Sequence, residues 1–329
     1  MRNDRMDNLR CLLIFLVVFG HFLALIPGAD TLYRIIYLFH MPAFLFLTGY
    51  FSHFNGPKIL TDLLYPYVIF QVLYLVFDAL VLQQSPFQGI HLQFTVPYWL
   101  LWYLLDLIFC RLLIPLMDKV PRPLRLLAVL ASVGLALVCG YVPEFGYYLS
   151  TGRFFSFFPF FLAGYYLAQS RWFSPWLEKS RVKQLPFLLV GVVIVLCSCL
   201  RESRFSPEML YGAVPYPAGN FGPGTRLLIT FFSFGWILAL LLLIPRRPIP
   251  GITELGRNTL PIYLLHGFVV RLAGHCHLFR LPFWGNLILA LLLSAGLMAL
   301  LGNSHTRKPF RTVFTGGWLE RLWRKYILT

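Results

Sequence analysis

Apolar runs of about twenty residues, the length that carries a helix across a bilayer core, recur along almost the whole chain and leave little room for another architecture. They are expected at Leu9–Pro27, Tyr33–Phe51, Leu63–Leu82, Val96–Met117, Leu124–Tyr141, Phe154–Ala168, Leu185–Leu200, Leu227–Ile244, Leu260–Ala273 and Phe283–Leu301, the sixth and ninth being short. Hydrophobic residues make up 58% of the chain and charged ones 12%, about half the charge fraction of a soluble domain. The mean hydropathy is +0.70. The fold class expected is all-α: a polytopic membrane protein of about ten transmembrane helices, with 1–329 a single integral-membrane domain. No soluble repeat, low-complexity tract or interdomain linker is visible.

A net charge of +15 would suggest nucleic acid in a soluble protein. Here its distribution gives another answer. If the N-terminus starts inside and the spans alternate, the inner segments hold Arg2, Arg5, Arg10, Lys58, Arg111, Lys119, Arg122, Arg125, Arg171, Lys179, Arg181, Lys183, Arg246, Arg247, Arg257, Arg307, Lys308, Arg311, Arg321, Arg324 and Lys325. Only Arg34, Arg153, Arg201, Arg204, Arg226, Arg271 and Arg280 fall outside. This asymmetry places both termini in the cytoplasm of a cell (inner) membrane, and no nucleic-acid partner is expected. Residues 1–27 have the look of a signal peptide, but cleavage would invert the alternation and discard the one helix that joins Arg10 to His21. The cysteines lie in or beside apolar segments and suggest no disulfide framework. Gly274-His275-Cys276-His277 lacks a second ligand group at zinc spacing, so no metal site is expected.

Polar residues inside the apolar runs are costly at that depth and mark candidate working positions. Arg10 and His21 are eleven residues apart, three helical turns plus about 20° and roughly 16 Å along the axis. They share one helix face with Asp7, the arginine at the membrane surface and the imidazole near mid-bilayer. His40, Asp106 and His266 reach about the same level from their own spans, which suggests a polar pocket. Pro42 and Pro261 are expected to loosen the backbone beside it, as broken helices at membrane depth line cavities. Tyr98, Trp99, Trp102, Tyr103, Tyr147 and Tyr148 lie near span ends, as interfacial residues or as faces for a sugar ring. Asn258 is expected to cap the ninth helix, Arg257 to serve topology, and Glu202 and Glu208 to be solvated loop charges.

Arg5-Met-Asp7-Asn-Leu-Arg10, continuing through Val17-Val18-Phe19-Gly20-His21, resembles the opening signature of the integral-membrane acyltransferase-3 family, and more narrowly of its short fucose 4-O-acetylase-like members. Phe39-His40-Met41-Pro42-Ala43-Phe44-Leu45-Phe46-Leu47-Thr48-Gly49-Tyr50 is similar to the family's second span, and Trp102-Tyr103-Leu104 to its fourth. Arg153-Phe154-Phe155-Ser156-Phe157-Phe158-Pro159-Phe160-Phe161-Leu162-Ala163-Gly164-Tyr165 resembles the sixth, and Leu255-Gly256-Arg257-Asn258-Thr259-Leu260-Pro261-Ile262-Tyr263-Leu264-Leu265-His266 the ninth. The resemblance implies transfer of an acyl group, often acetyl, from cytoplasmic acyl-CoA to an extracytoplasmic hydroxyl, typically of a glycan or lipid-linked sugar. It carries the family's functional arginine–histidine pair onto Arg10 and His21. It also makes Arg122-Pro-Leu-Arg125 a candidate for a cytoplasmic Arg-x-x-Arg motif, while the loop after the second span offers only Lys58.

On this basis His21 is a candidate general base or transient acyl carrier, since a sugar hydroxyl becomes a competent nucleophile when a neutral imidazole takes its proton. Arg10, Lys58, Arg122 and Arg125 are candidates for holding the anionic part of acyl-CoA, guanidinium groups by charge-assisted hydrogen bonds. The alternative for Arg10 is inner-side anchoring plus a salt bridge to Asp7. His40, Trp102, Asp106, Arg153, Tyr263 and His266 are candidates for acceptor orientation or pocket support. No tightly bound cofactor is expected; acetyl-CoA enters as a substrate. A transporter or flippase of a sugar or lipid-linked glycan is the competing class, sharing mid-membrane histidines and aromatic ends. A non-catalytic membrane partner of another glycan enzyme is a third.

Overall fold

The computed structural model describes residues 3–82, 94–179, 181–303 and 316, and among these no strand occurs. Its principal helices are α1 (Asp4–Leu23), α2 (Asp30–Phe51), α3 (Gly56–Leu80), α4 (Trp102–Leu112), α5 (Arg125–Cys139), α6 (Thr151–Ala168), α7 (Arg181–Cys199), α8 (Pro223–Leu243), α9 (Thr259–His275) and α10 (Phe283–Leu301). Each coincides with one of the apolar runs. Seven of them, all but α4, α6 and α9, are long and apolar enough to cross a membrane. Of the cations expected on the inner side, Arg2, Arg307, Lys308, Arg311, Arg321, Arg324 and Lys325 lie outside the described residues.

Helices α1 and α2 form the centre. In each, 72% of the apolar stretch is buried by protein, against 17% in α5 and α7, whose leucines face outward. The second helix packs on α6, α1 and α8; α1 also packs on α9, α10 and the short helix Ile252–Arg257. Where solvent is lipid, burying more leucine gains little, so close backbone approach decides which helices meet. Two glycines permit that approach between α2 and α6. A methyl group on Gly49 would stand 2.1 Å from the Phe161 carbonyl oxygen, and one on Gly164 would stand 2.0 Å from that of Phe46. The helices cross backbone to backbone.

Neither proline breaks its helix as expected. Pro42 lies inside a continuous α2. Having no N–H, it leaves the Leu38 carbonyl without its helical donor, and the Ser233 hydroxyl of α8 donates to that oxygen at 2.6 Å. Pro261 falls in the first turn of α9, where a missing N–H costs nothing. The interruption comes earlier, at Asn258, whose backbone leaves the helical region between Ile252–Arg257 and α9. Asn258 makes no side-chain cap; its amide instead donates to the Gly302 carbonyl at 3.2 Å and ties the start of α9 to the end of α10. Glu202 is likewise not a free loop charge, because it pairs with Arg34 and accepts from Thr31 at 3.0 Å.

Ser233→Ala should therefore strand a buried carbonyl and lower stability by about 1–2 kcal/mol, read as a lower midpoint in thermal unfolding of the purified protein in detergent. Gly164→Ala should lower it further by forcing α2 and α6 apart. Gly134→Ala, where an added methyl meets nothing within 4 Å, should be neutral or stabilising in the same assay.

Candidate active site

The site is set from the foot of α1. Asn3 caps the helix by accepting from the Met6 N–H at 3.4 Å, and Asp4 and Asp7 occupy the first turn, where carboxylates complement the positive end of the helix. Arg257 binds Asp4 at 2.8 Å and one Asp7 oxygen at 3.0 Å, while Arg10 binds the other Asp7 oxygen at 3.2 Å. Arg257, expected only to serve topology, thus clamps the foot of α1. The Asn8 amide donates to the Pro245 and Arg247 carbonyls at 3.1 and 3.0 Å, and its oxygen accepts from Thr253 at 2.6 Å. Arg5 donates to the Leu177 carbonyl at 2.9 Å. Arg5 and Asn8, which sequence reasoning passed over, are anchors buried to 1% and 2% exposure.

Eleven residues above Arg10, His21 reaches the wall of a chamber of about 340 Å³, the outer one in the expected topology. The chamber is lined from α1 by Val17 and His21, from α2 by Tyr33, Tyr37, His40 and Met41, and from α6 by Arg153 and Phe157. The turn into α4 adds Pro97, Trp99, Leu100 and Trp102; Tyr147, Leu210, Tyr211 and Tyr263 complete it. His21 Nδ1 and the Tyr37 hydroxyl are 3.1 Å apart, and the Tyr33 and Tyr211 hydroxyls 2.7 Å apart. Tyr33 and Tyr37 stack at 3.9 Å, so the phenols form a file from the outer loop to the imidazole. If Nδ1–H donates to Tyr37, Nε2 keeps its lone pair for a substrate proton. Trp99 rests edge-on against His21 at 4.5 Å from a backbone with φ of 26°, a strained conformation for a bulky residue.

Below lies a second chamber of about 190 Å³, lined by Arg10 and Val17 of α1, Met41, Phe44 and Thr48 of α2, Tyr103, Leu107 and Arg111 of α4, and Thr259, Leu260 and Tyr263 of α9. Val17, Met41 and Tyr263 line both chambers, so a single layer of side chains separates them. Tyr263 is fixed in that layer by donating to the Leu100 carbonyl. A further cavity of about 690 Å³ also reaches His21, with the Arg271–Asp78 ion pair and His275 on its wall.

Of the expected acceptor-side residues, His40, Trp102, Arg153 and Tyr263 line the outer chamber with His21, whereas Asp106 and His266 do not. Asp106 is fully buried, with Ser150 and Arg153 the polar groups that act on it. His266 is also fully buried; it stacks on His21 at 5.3 Å and holds the Ile262 carbonyl at 2.9 Å, so it backs the imidazole. Of the cations expected at the donor end, Arg10 lines the lower chamber, but Arg122 and Arg125 line a separate cavity of about 670 Å³ with Tyr166, Arg171 and Trp172. The reason is packing, since α5 rests on α6 and α8. Lys58 lines neither the chamber of Arg10 nor that of Arg122. Arg111 takes the place beside Arg10 that sequence reasoning gave to those three residues. Tyr33, Tyr37 and His40 could have been found as a stripe at helical spacing; Arg111 carried no local signal beyond its charge.

The family model for the acyltransferase domain of the acyltransferase-3 family matches residues 3–303. No curated protein and no solved structure matches the chain. The matched stretch runs from the cap of α1 to the end of α10 and holds both chambers, whose walls include α1 and α2, two of the helices long and apolar enough to cross a membrane. The chain belongs to the acyltransferase-3 family, and the protein is a membrane acyltransferase.

Proposed function

We propose that this acyltransferase moves an acyl group, acetyl above all, from cytoplasmic acyl-CoA to a hydroxyl of an extracytoplasmic glycan or glycan precursor, in a cell membrane crossed ten times with both termini in the cytoplasm. The observation that carries the reading is the position of His21: it lines the outer chamber, one side-chain layer from a chamber that holds Arg10 and Arg111. An alcohol enters from the aromatic side. The anionic end of CoA stays at the arginines and its thioester reaches up past Val17, Met41 and Tyr263.

His21 Nε2 takes the proton of the accepting hydroxyl as its oxygen attacks the thioester carbonyl. The C–S bond then breaks, and the leaving thiolate recovers the proton from the imidazolium. With Nδ1–H donated to the Tyr37 hydroxyl, 3.1 Å away, the ring is in the tautomer this requires, and His266 limits its rotation from behind. A route in which His21 first carries the acyl group uses the same atoms; it predicts an acyl-enzyme that survives when acceptor is withheld.

His21→Ala should lower acetyl transfer by about 10²- to 10⁴-fold without changing the thermal unfolding midpoint. Surface glycans of the corresponding strain, compared by mass spectrometry, should lose one acetyl increment. Tyr37→Phe should lower transfer by about tenfold, the worth of one orienting hydrogen bond. Arg10→Lys should raise KM for acetyl-CoA, because a point charge cannot replace bidentate phosphate binding. An unchanged KM would leave Arg10 as an anchor of Asp7 alone. A transporter would show no acetyl-CoA turnover in detergent, where vectorial movement is impossible; that result, with unaltered glycans in the His21→Ala strain, would overturn the reading.

A further inference from the structure

We propose that the acceptor bound in the outer chamber carries an anionic group, a carboxylate or a phosphate, that pairs with Arg153. The inference rests on the chamber being the acceptor's, as proposed above, and it narrows the substrate class to acidic or phosphorylated carbohydrates.

Arg153 lines the chamber together with His21, and no Asp or Glu is among the lining residues. Of the other arginines expected on that side, Arg34 pairs with Glu202, Arg271 pairs with Asp78 at 2.9 Å and Arg226 donates to the Ala136 and Val214 carbonyls, and none of Arg34, Arg201, Arg204, Arg226, Arg271 and Arg280 lines the chamber. Arg153 enters no ion pair among the described residues. The carboxylate that acts on it, Asp106, does so from outside the chamber wall. Its known contacts are the rings of Trp102 at 5.1 Å and Tyr147 at 5.0 Å. Cation–π contact steadies a guanidinium without using its N–H donors.

Helix anchoring does not account for this placement. Arg153 is in the first turn of α6, where the helix dipole opposes a cation, and that turn contains no acidic residue. A partly enclosed guanidinium with free donors matches the two oxygens of a carboxylate or phosphate. The Trp102 and Tyr147 rings beside it suit the apolar face of a sugar. An acidic sugar seated there brings a neighbouring hydroxyl into the chamber that His21 lines.

The test uses the purified full-length protein in a non-ionic detergent, titrated with methyl β-glucuronide, glucose 1-phosphate and the neutral methyl β-glucoside. Binding is followed by tryptophan fluorescence, since Trp99 and Trp102 form part of the wall. One of the two anionic probes should bind at least about tenfold more tightly than the glucoside, and which one identifies carboxylate or phosphate as the group. Arg153→Gln should level the probes and Arg153→Lys should retain part of the preference. Wild-type preference should fall as salt rises, a measurement that does not depend on the variants folding. Equal affinities in the wild type, or a preference that survives in Arg153→Gln, overturns the proposal. Acetyl-CoA turnover measured alongside separates the two claims: turnover without anion preference defeats only this one, and anion preference without turnover defeats acyl transfer and leaves an anion site.

Discussion

Asp7, a carboxylate almost sealed from solvent at the foot of α1, is shared between Arg10 on its own helix and Arg257 from the segment preceding α9. A buried charge is stable only while its partners remain, so this contact fixes both the height and the rotation of α1. The backbone enforces the same setting, since a methyl on Gly256 would fall 1.8 Å from the Asp7 carbonyl oxygen. Because an α-helix is stiff, fixing its foot also fixes His21 three turns above. Loss of that register would turn the imidazole off both the outer chamber and its tyrosine partner.

The surrounding helices obey the economy of a lipid solvent. Apolar burial distinguishes few partners there, and specificity falls to close glycine contacts and to polar groups that must find each other. The Leu38 carbonyl freed by Pro42 and the Ser233 hydroxyl that satisfies it are such a pair. Asn258 reaching the end of α10 is another. These bonds tie α2 to α8 and α9 to α10, and ionisable side chains at depth occur where protein encloses them. His21, His40 and Arg153 line the upper chamber, while Asp106 and His266 are enclosed by protein behind its wall.

Polar and aromatic chemistry is then sorted by height. Arginines from α1 and α4 meet at the lower chamber, phenols and indoles surround the upper one, and His21 belongs to the upper one near the layer between them. The proposed transfer needs this division, since a polyanionic donor and a carbohydrate acceptor must approach one ring from opposite directions. Trp99, strained and pressed against His21, also separates the aromatic chamber from the one walled by Asp78 and Arg271.

The fold class was legible in the sequence because lipid imposes a length and a composition that no local context overrides. The all-helical architecture, the positions of the helices and the family all follow from apolar runs and ordered motifs. The common face of Arg10 and His21 also follows, since it depends only on helical periodicity. Which residues join that face could not be read in the same way. Arg122 and Arg125 line a separate cavity, Arg111 comes in from α4 beside Arg10, and Asp106 and His266 lie behind the wall. Helix ends, proline effects and the destinations of Asn258 and Glu202 were likewise settled by neighbours distant in sequence. The sequence by itself therefore determined the helices, the membrane and the pairing of Arg10 with His21 on one face of α1, because these are set by spacing within one segment. Only the tertiary structure decided the partners of that pair, because they are set by packing between segments whose order along the chain says nothing about which of their faces meet.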